Sequence, residues 1–198
     1  MCTLAAESGR LDTLIWLHDE QGCLFDKRTC KEAIHANHKP IDRRKDTYVD
    51  IVNYVLECGC AFDCETMYHA IQKGDVHLVR RLADLGCPWC AQTSVERLMA
   101  NIHGNKYPYE AAAVVGSVPM MNVLRDLGCP WDEEDESVFT ALLCGNVDAA
   151  EFLLDMGVPW GDWADRSGQL QDMESEYGES VVKKARKLMD ERGCPWTG

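Results

Sequence analysis

Apolar residues recur at intervals of three and four in three similar segments of this chain, the spacing that places side chains on one face of an α-helix. In the segment 74–86 the apolar positions are Val76, Leu78, Val79, Leu82 and Leu85. The segments 116–128 and 145–157 repeat the pattern. Each is predicted to form an amphipathic helix of about three turns ending at a glycine, which readily takes the left-handed conformation that closes a helix. No stretch shows sustained apolar and polar alternation, so the sequence predicts an all-α fold.

A six-residue phrase closes each of these helical segments. DLGCPW stands at 84–89 and again at 126–131, and looser copies occur elsewhere. We call the glycines of these phrases the anchor glycines: Gly22, Gly59, Gly86, Gly128, Gly157 and Gly193. Their mean spacing of about 34 residues is typical of helical repeat proteins.

A second landmark lies upstream of the anchors: a small or apolar pair followed by a chain break. Ala112-Ala113 followed by Gly116 is one example. The interval from break to anchor is 12 residues in three copies and 13 in the first. This regular spacing predicts a repeat of helix, turn, helix and extended turn.

The first helix of each repeat is predicted to be the shorter one. These helices are predicted at Thr29–Ala36, Glu65–Lys73 and Val138–Cys144. Insertions interrupt the pattern at 38–47, near 99–108 and around 165–179. In repeat proteins, insertions map to loops, often on the face that binds a partner.

Composition narrows the classes of partner. The 33 acidic and 20 basic residues give a net charge of −13, which would be repelled by a phosphate backbone, so we expect no nucleic-acid partner. No apolar run reaches the roughly 20 residues of a membrane helix, so no membrane association is expected. No secretory signal is visible, which favours a cytoplasmic protein whose eleven cysteines are free thiols.

The cysteines admit an alternative interpretation as a metal or thiol-redox site. Cys87 and Cys90 form a CxxC motif, and Cys58, Cys60 and Cys64 lie close together. We favour a packing role, because a cysteine recurs directly after the anchor glycine and the fifth copy has valine there. The aromatic residues two positions further on are likewise interpreted as covers for the ends of adjacent helices: Phe25, Phe62, Trp89, Trp131, Trp160 and Trp196.

Two segments carry a resemblance to a known family. HAIQKGDVHLVRRLADLGCPW (69–89) and YEAAAVVGSVPMMNVLRDLGCPWD (109–132) resemble ankyrin repeats. They resemble in particular the subclass with a Gly-Cys-Pro-Trp-Asp turn, abundant in giant DNA viruses of amoebae and in some protists. The usual Thr-Pro-Leu-His signature is mostly absent, and Glu-Thr-Met-Tyr stands at 65–68 instead. The resemblance implies one ankyrin-repeat domain over 1–198, a solenoid of about six partly degenerate repeats with inserted loops.

The resemblance also implies a function: a non-catalytic module that binds another protein, without a cofactor or metal. If the chain is viral, the partner is expected to be a host protein and the location the host cytoplasm. Specificity is expected in side chains that differ between repeats, on first helices and inserted loops: Lys31, His35, Arg43, Arg44, Tyr68, Gln72 and Arg97. We keep a second hypothesis, a structural protein that self-associates, because neither end of the sequence shows a whole capping repeat.

Overall fold

The computed structural model describes residues 1–35, 48–89, 108–131, 135–161 and 176–195. Every regular element in these ranges is helical and none is a strand, which confirms the all-α prediction. The helices are α1 (Cys2–Glu7), α2 (Leu11–Ile15), α3 (Lys27–His35), α4 (Tyr48–Glu57), α5 (Cys64–Gln72), α6 (Val76–Asp84), α7 (Pro108–Val115), α8 (Val118–Asp126), α9 (Ser137–Leu143), α10 (Val147–Asp155) and α11 (Glu179–Glu191). A π-helical turn, Trp16–Glu20, continues α2. None of the described helices is long and apolar enough to cross a bilayer.

The second helix ends in the same way in several repeats. At the end of α8, the Gly128 amide donates to the Arg125 carbonyl and the Cys129 amide donates to the Leu124 carbonyl, both at 2.9 Å. Gly128 has a φ of 69°, in the left-handed region. This pair of bonds is the Schellman motif, and it repeats at the anchor glycines of α4, α6 and α10.

The small pair before each break has a defined role. The Gly116 and Ser117 amides donate to the carbonyls of Ala113 and Ala112, each at 3.1 Å, so the pair accepts the bonds that end α7. Both alanines are completely buried. The first member of every pair is alanine, whose small side chain lets the first helix approach its neighbours closely.

The first repeat has one more residue between its break and its anchor glycine than three other repeats, and the π turn accommodates that residue. The Cys23 amide donates to the Leu17 carbonyl, six residues back, at 3.0 Å, whereas Cys60 donates to Val55, five residues back. A single extra residue in a helix is typically accommodated as a π bulge. The cysteine after the anchor glycine therefore still bonds to the end of the helix, although the segment is one residue longer.

Two second helices begin with a side-chain cap. Asp75, which the sequence places at the start of a second helix, accepts the Leu78 amide through its Oδ1 at 2.9 Å. The Ser117 hydroxyl caps α8 by accepting the Met120 amide at 3.3 Å. Side-chain acceptors satisfy amides that have no partner within the helix.

Contacts between α-carbons divide the chain into two compact units. Unit one comprises 1–70 and 81–88, and unit two comprises 71–80 and 89–198. In unit one, α3 packs on both α1 and α4. In unit two, α7 packs on α9 and α8 on α10, so first helices meet first helices and second helices meet second helices. The last described helix, α11, packs on α10.

Each unit has an apolar core formed by the inward faces of these helices. Fully buried large side chains of unit one are Leu14, Ile34, Ile51, Met67 and Leu82. Those of unit two are Ile71, Tyr109, Met120, Met121, Leu124 and Leu142. Burying a side chain of this size stabilises the fold by about 1.5–3 kcal/mol.

Candidate protein-binding surface

The structure places four of the seven predicted binding residues on first helices. Lys31 lies on α3, and Tyr68 and Gln72 lie on α5. His35 is the last residue of α3, and its side chain lies outside the described part of the structure. The remaining three, Arg43, Arg44 and Arg97, also lie outside the described residues.

One position of the first helix differs in chemistry from repeat to repeat. It stands two residues before the small pair and is occupied by Thr3, Lys31, Tyr68, Glu110 and Phe139. The first four are half-buried, and Phe139 is buried. We call this set the variable column.

Members of the variable column reach toward the next first helix. In unit one, the Lys31 ammonium contacts the Glu65 carboxylate, and the Thr3 hydroxyl lies 3.2 Å from the hydroxyl of Thr29. In unit two, the Thr140 hydroxyl donates to Glu110 Oε1 at 3.4 Å. The position therefore links neighbouring helices while Thr3, Lys31 and Glu110 stay partly exposed. Lys31 thus has an intramolecular role that its sequence pattern did not indicate.

Tyr68 is half-buried, and Gln72 is exposed. The Tyr68 ring meets the His69 ring edge to face, with centroids 5.8 Å apart and planes at 74°. Gln72, the last residue of α5, is exposed. An aromatic ring held by a neighbour loses little conformational entropy on binding, which suits a contact residue.

Of the five cysteines that directly follow anchor glycines, Cys60, Cys87 and Cys129 are buried, whereas Cys23 and Cys194 are half-buried. Cys60, Cys87 and Cys129 are between 4% and 6% exposed, and Val158 in the same position is 2% exposed. The Cys60 thiol donates to the Asp26 carbonyl at 3.1 Å. The burial of these side chains agrees with the predicted packing role. The hydrogen bond from Cys60 to Asp26 also links two successive turns, which the sequence did not indicate.

The bond between turns recurs, and burial keeps its thiol neutral. The Cys87 thiol donates to the Asp63 carbonyl at 3.3 Å. Burial raises the pKa of Cys87 to about 12, because the thiolate would lose its hydration. Cys90, the other half of the CxxC motif, lies outside the described residues. Within the described ranges, no group of three or more His, Cys, Asp and Glu side chains is arranged to hold a metal ion.

The aromatic residues of the turns contact adjacent helix ends. Phe25 stacks on His18 with centroids 4.2 Å apart, and Tyr54 of the next second helix meets Phe25 edge on at 6.0 Å. In unit two, the Trp131 ring lies 3.8 Å from where a methyl group on Gly157 would stand. These contacts support the predicted covering role, and Trp196 lies outside the described residues.

Sequence reasoning missed an acidic residue that precedes every anchor glycine by two positions. The set is Glu20, Glu57, Asp84, Asp126, Asp155 and Glu191, and all are exposed. A negative charge at a helix C-terminus opposes the helix dipole, so it needs compensation. Arginines supply it for two members of the set: Arg81 of α6 lies 3.8 Å from Glu57, and Arg192, directly after α11, lies 2.6 Å from Asp155. The recurrence of Asp or Glu in the six-residue phrase was the signal that could have revealed this set.

No family model, curated protein or solved structure matches this chain. The resemblance to ankyrin repeats therefore stays a prediction.

Proposed function

We propose that this chain is a non-catalytic protein-binding module, built as an ankyrin-like helical solenoid. The observation that carries the proposal is the contrast between constant and variable positions of one repeating helix pair. Helix ends, small pairs and core residues keep their roles from repeat to repeat, while the variable column changes from hydroxyl to ammonium, phenol and carboxylate. A fixed scaffold with changing partly exposed side chains supports selective recognition.

The partner would contact first helices and the loops that follow them. In unit one, Lys31 and Tyr68 offer a cation and an aromatic ring, which suit a polar protein surface with an aromatic anchor point. In unit two, Gln72 offers an exposed amide. Arg43, Arg44 and Arg97 would extend this surface. Following the resemblance to the giant-virus subclass, the proposed partner is a host protein in the host cytoplasm.

The test compares two triple variants of the whole chain. One is Lys31→Ala/Tyr68→Ala/Gln72→Ala, on first helices. The matched control is His77→Ala/Arg80→Ala/Asp84→Ala, three exposed residues of one second helix. Each bait is used with amoebal lysate, captured proteins are quantified by mass spectrometry, and the strongest candidate is purified for direct affinity measurement.

We expect a protein that binds the wild type and the control but is lost with the first-helix variant. Its affinity should fall by about tenfold or more, since one hot-spot residue among the three costs about 2 kcal/mol when truncated and about 1.4 kcal/mol corresponds to a factor of ten. Circular dichroism and urea unfolding of both variants check that the fold is intact. Equal retention by the two variants would place the binding surface elsewhere. A third variant, Arg43→Ala/Arg44→Ala/Arg97→Ala, tests the loops separately.

A further inference from the structure

An open pocket of about 500 Å³ lies in unit two, at the C-terminal ends of α8 and α10. Its lining residues include Tyr109, Arg125, Trp131, Phe152, Asp155 and Met156. The volume falls within the range of pockets that hold small organic ligands, about 300–1,000 Å³. Because α8 and α10 belong to consecutive helix pairs, the pocket lies between two neighbouring repeats. We call it the ring pocket.

Aromatic side chains form the walls of the ring pocket, and charged side chains stand at its rim. Tyr109 is completely buried, and its hydroxyl donates to the Cys129 carbonyl at 3.4 Å. Trp131 and Phe152 are half-buried. The Arg125 side chain is 50% exposed, and its guanidinium carbon lies 5.5 Å from the centre of the Phe152 ring. A group that enters the pocket therefore meets aromatic surfaces beside a cation.

Unit one contains a counterpart of these positions. The repeats are matched by the turn hydrogen bond, in which the amide after each anchor glycine donates to a carbonyl near the end of the second helix. Arg125 directly follows the carbonyl residue of its repeat, and Phe152 directly precedes that of the next repeat. The corresponding residues of unit one are His18 for Arg125, Phe25 for Trp131 and Tyr54 for Phe152.

In unit one, a ring of the chain itself fills the corresponding space. The His18 imidazole stacks on Phe25, with centroids 4.2 Å apart and planes at 20°, and the Tyr54 ring meets it edge to face at 6.2 Å. His18 Nδ1 lies 3.0 Å from the Cys23 carbonyl oxygen, a contact that holds the imidazole in place. Arginine has no ring with which to fill this space, so in unit two the space beside the turn aromatic stays open.

We propose that the ring pocket binds a tryptophan or tyrosine side chain of a partner protein. The partner's ring would take the place that His18 occupies in unit one, stacked on Trp131 and edge to face with Phe152. Arg125 favours an electron-rich ring over a protonated imidazole, because a cation is attracted to the face of the former and repelled by the latter. The Asp155 carboxylate can accept a hydrogen bond from the indole N–H or the phenol O–H. Tryptophan and tyrosine are also enriched at interface hot spots.

The charged groups at the rim have partners already but keep capacity for a ligand. Arg125 donates to Asp126 at 3.3 Å through one nitrogen, and a guanidinium carries several N–H donors. Arg192 donates to Asp155 Oδ1 at 2.6 Å, and a carboxylate can accept at about four lone-pair sites. Neither ion pair has to break for a ring to bind.

Titration of the isotope-labelled 198-residue chain with N-acetyltryptophanamide, followed by nuclear magnetic resonance, tests ring binding without a partner. We expect chemical-shift changes at Trp131, Phe152 and Met156 and a Kd on the order of 1 mM, since a ligand with few atoms gains limited affinity. The acetylated amide of cyclohexylalanine is the matched non-aromatic probe, and it should bind about threefold more weakly because its ring has no π electrons. No shift changes at these residues, or equal affinity of the two probes, would overturn the inference.

Arg125→His is the sharpest variant, because it gives unit two the residue that fills the counterpart space in unit one. Its imidazole should occupy the ring pocket, so that N-acetyltryptophanamide no longer shifts Trp131. Trp131→Leu removes the stacking face and should weaken binding about fivefold. The matched control is Trp160→Leu, at the same turn position of the next repeat and outside the lining of this pocket, which should bind like the wild type. Unchanged binding in either pocket variant, or an equal loss in the control, would contradict the inference.

Folding and the source of the ring are checked separately. Circular dichroism verifies both variants, and Arg125→His decides the test if Trp131→Leu does not fold, since Arg125 is exposed. Only the source of the ring rests on the proposed function, so failure of the capture experiment counts against the proposed function and does not affect the titration. The affinity of a captured partner should fall at least about fivefold with Arg125→His and stay unchanged with Trp160→Leu. Binding of N-acetyltryptophanamide together with an unchanged partner affinity in Arg125→His would show that the partner does not supply the ring, and would overturn the inference.

Discussion

Gly116 and Gly128 end two consecutive helices of unit two with the same backbone geometry but in different surroundings. Their φ angles are 71° and 69°. A methyl group on Gly116 would stand 2.5 Å from Asn146 Oδ1, whereas one on Gly128 would meet no atom within 4 Å. The first glycine is needed for both conformation and space, and the second for conformation alone.

Asn146 explains the difference. Its Nδ2 donates to the carbonyls of Ala113 and Val114, at 2.9 and 3.1 Å, and so satisfies the end of α7 from the next helix pair. Gly145 has a similar neighbour, since its methyl group would stand 2.9 Å from the ring of Tyr177. The breaks at Gly116 and Gly145 in unit two are therefore places where the following segment packs closely on the helix end, whereas the turn at Gly128 is open.

The largest effect is expected from Gly116→Ala. Left-handed strain of about 1–2 kcal/mol adds to crowding against Asn146, for a total loss of about 3 kcal/mol in unfolding free energy. Urea unfolding followed by circular dichroism measures it. In Gly116→Ala/Asn146→Ala the crowding is gone, so the two losses should add to more than the double variant shows; simple additivity would contradict the close contact.

Asn146→Ala should have the next largest effect. It removes two hydrogen bonds to the end of α7, and a loss of about 1.5 kcal/mol follows from typical net values per bond. The matched control is Asn122→Ala, because among the described residues Asn122 donates only to the Val118 carbonyl of its own helix, at 3.1 Å. Urea unfolding measures the loss of unfolding free energy in each variant. Equal losses would show that the bonds between helix pairs contribute no more stability than the bond within one helix.

Gly128→Ala tests the glycine that has open space around it. With no crowding, only the conformational strain of about 1 kcal/mol remains. Gly128→Asn should lose less, since asparagine tolerates the left-handed region better than alanine. Urea unfolding of both variants measures the loss in unfolding free energy. A loss for Gly128→Ala as large as that for Gly116→Ala would contradict the role of space around the glycine.

Cys87→Val tests a turn position whose counterpart in the fifth repeat is already valine. At neutral pH we expect a loss of only about 0.5 kcal/mol, from the weak thiol bond to Asp63. Because the folded-state pKa is raised to about 12, this thiol contributes stability below its ordinary pKa that is lost as pH rises toward 12. Unfolding at neutral and alkaline pH should show a smaller alkaline loss in the variant, and an identical alkaline loss would argue against a buried thiol.

The smallest effect is expected for the Lys31–Glu65 pair. Its side chains are 32% and 29% exposed, so solvent screening limits the coupling to about 0.5 kcal/mol. A double-mutant cycle with Lys31→Ala and Glu65→Ala measures it, and the coupling should shrink in high salt. A coupling energy larger than that between Gly116 and Asn146 would contradict the expectation that the crowded contact contributes more than the exposed ion pair.

Part of the candidate surface was predictable and part was not. The repeat spacing located α3 and α5, and therefore placed Lys31, Tyr68 and Gln72 on first helices. It did not indicate that Lys31 pairs with Glu65, because a side-chain partner 34 residues away is set by how helices pack. The acidic residues before the anchor glycines can be read from the sequence. Their arginine partners cannot, because they depend on which segment packs next to each helix end.

The sequence by itself determined the local structure of this protein. Apolar periodicity set the helices, glycines with positive φ set where they end, and one extra residue in the first repeat required a π turn. These are consequences of backbone sterics and hydrogen bonding within a few residues. Tertiary structure alone decided which glycines are crowded and which charges pair, because each depends on distances between segments far apart in the chain.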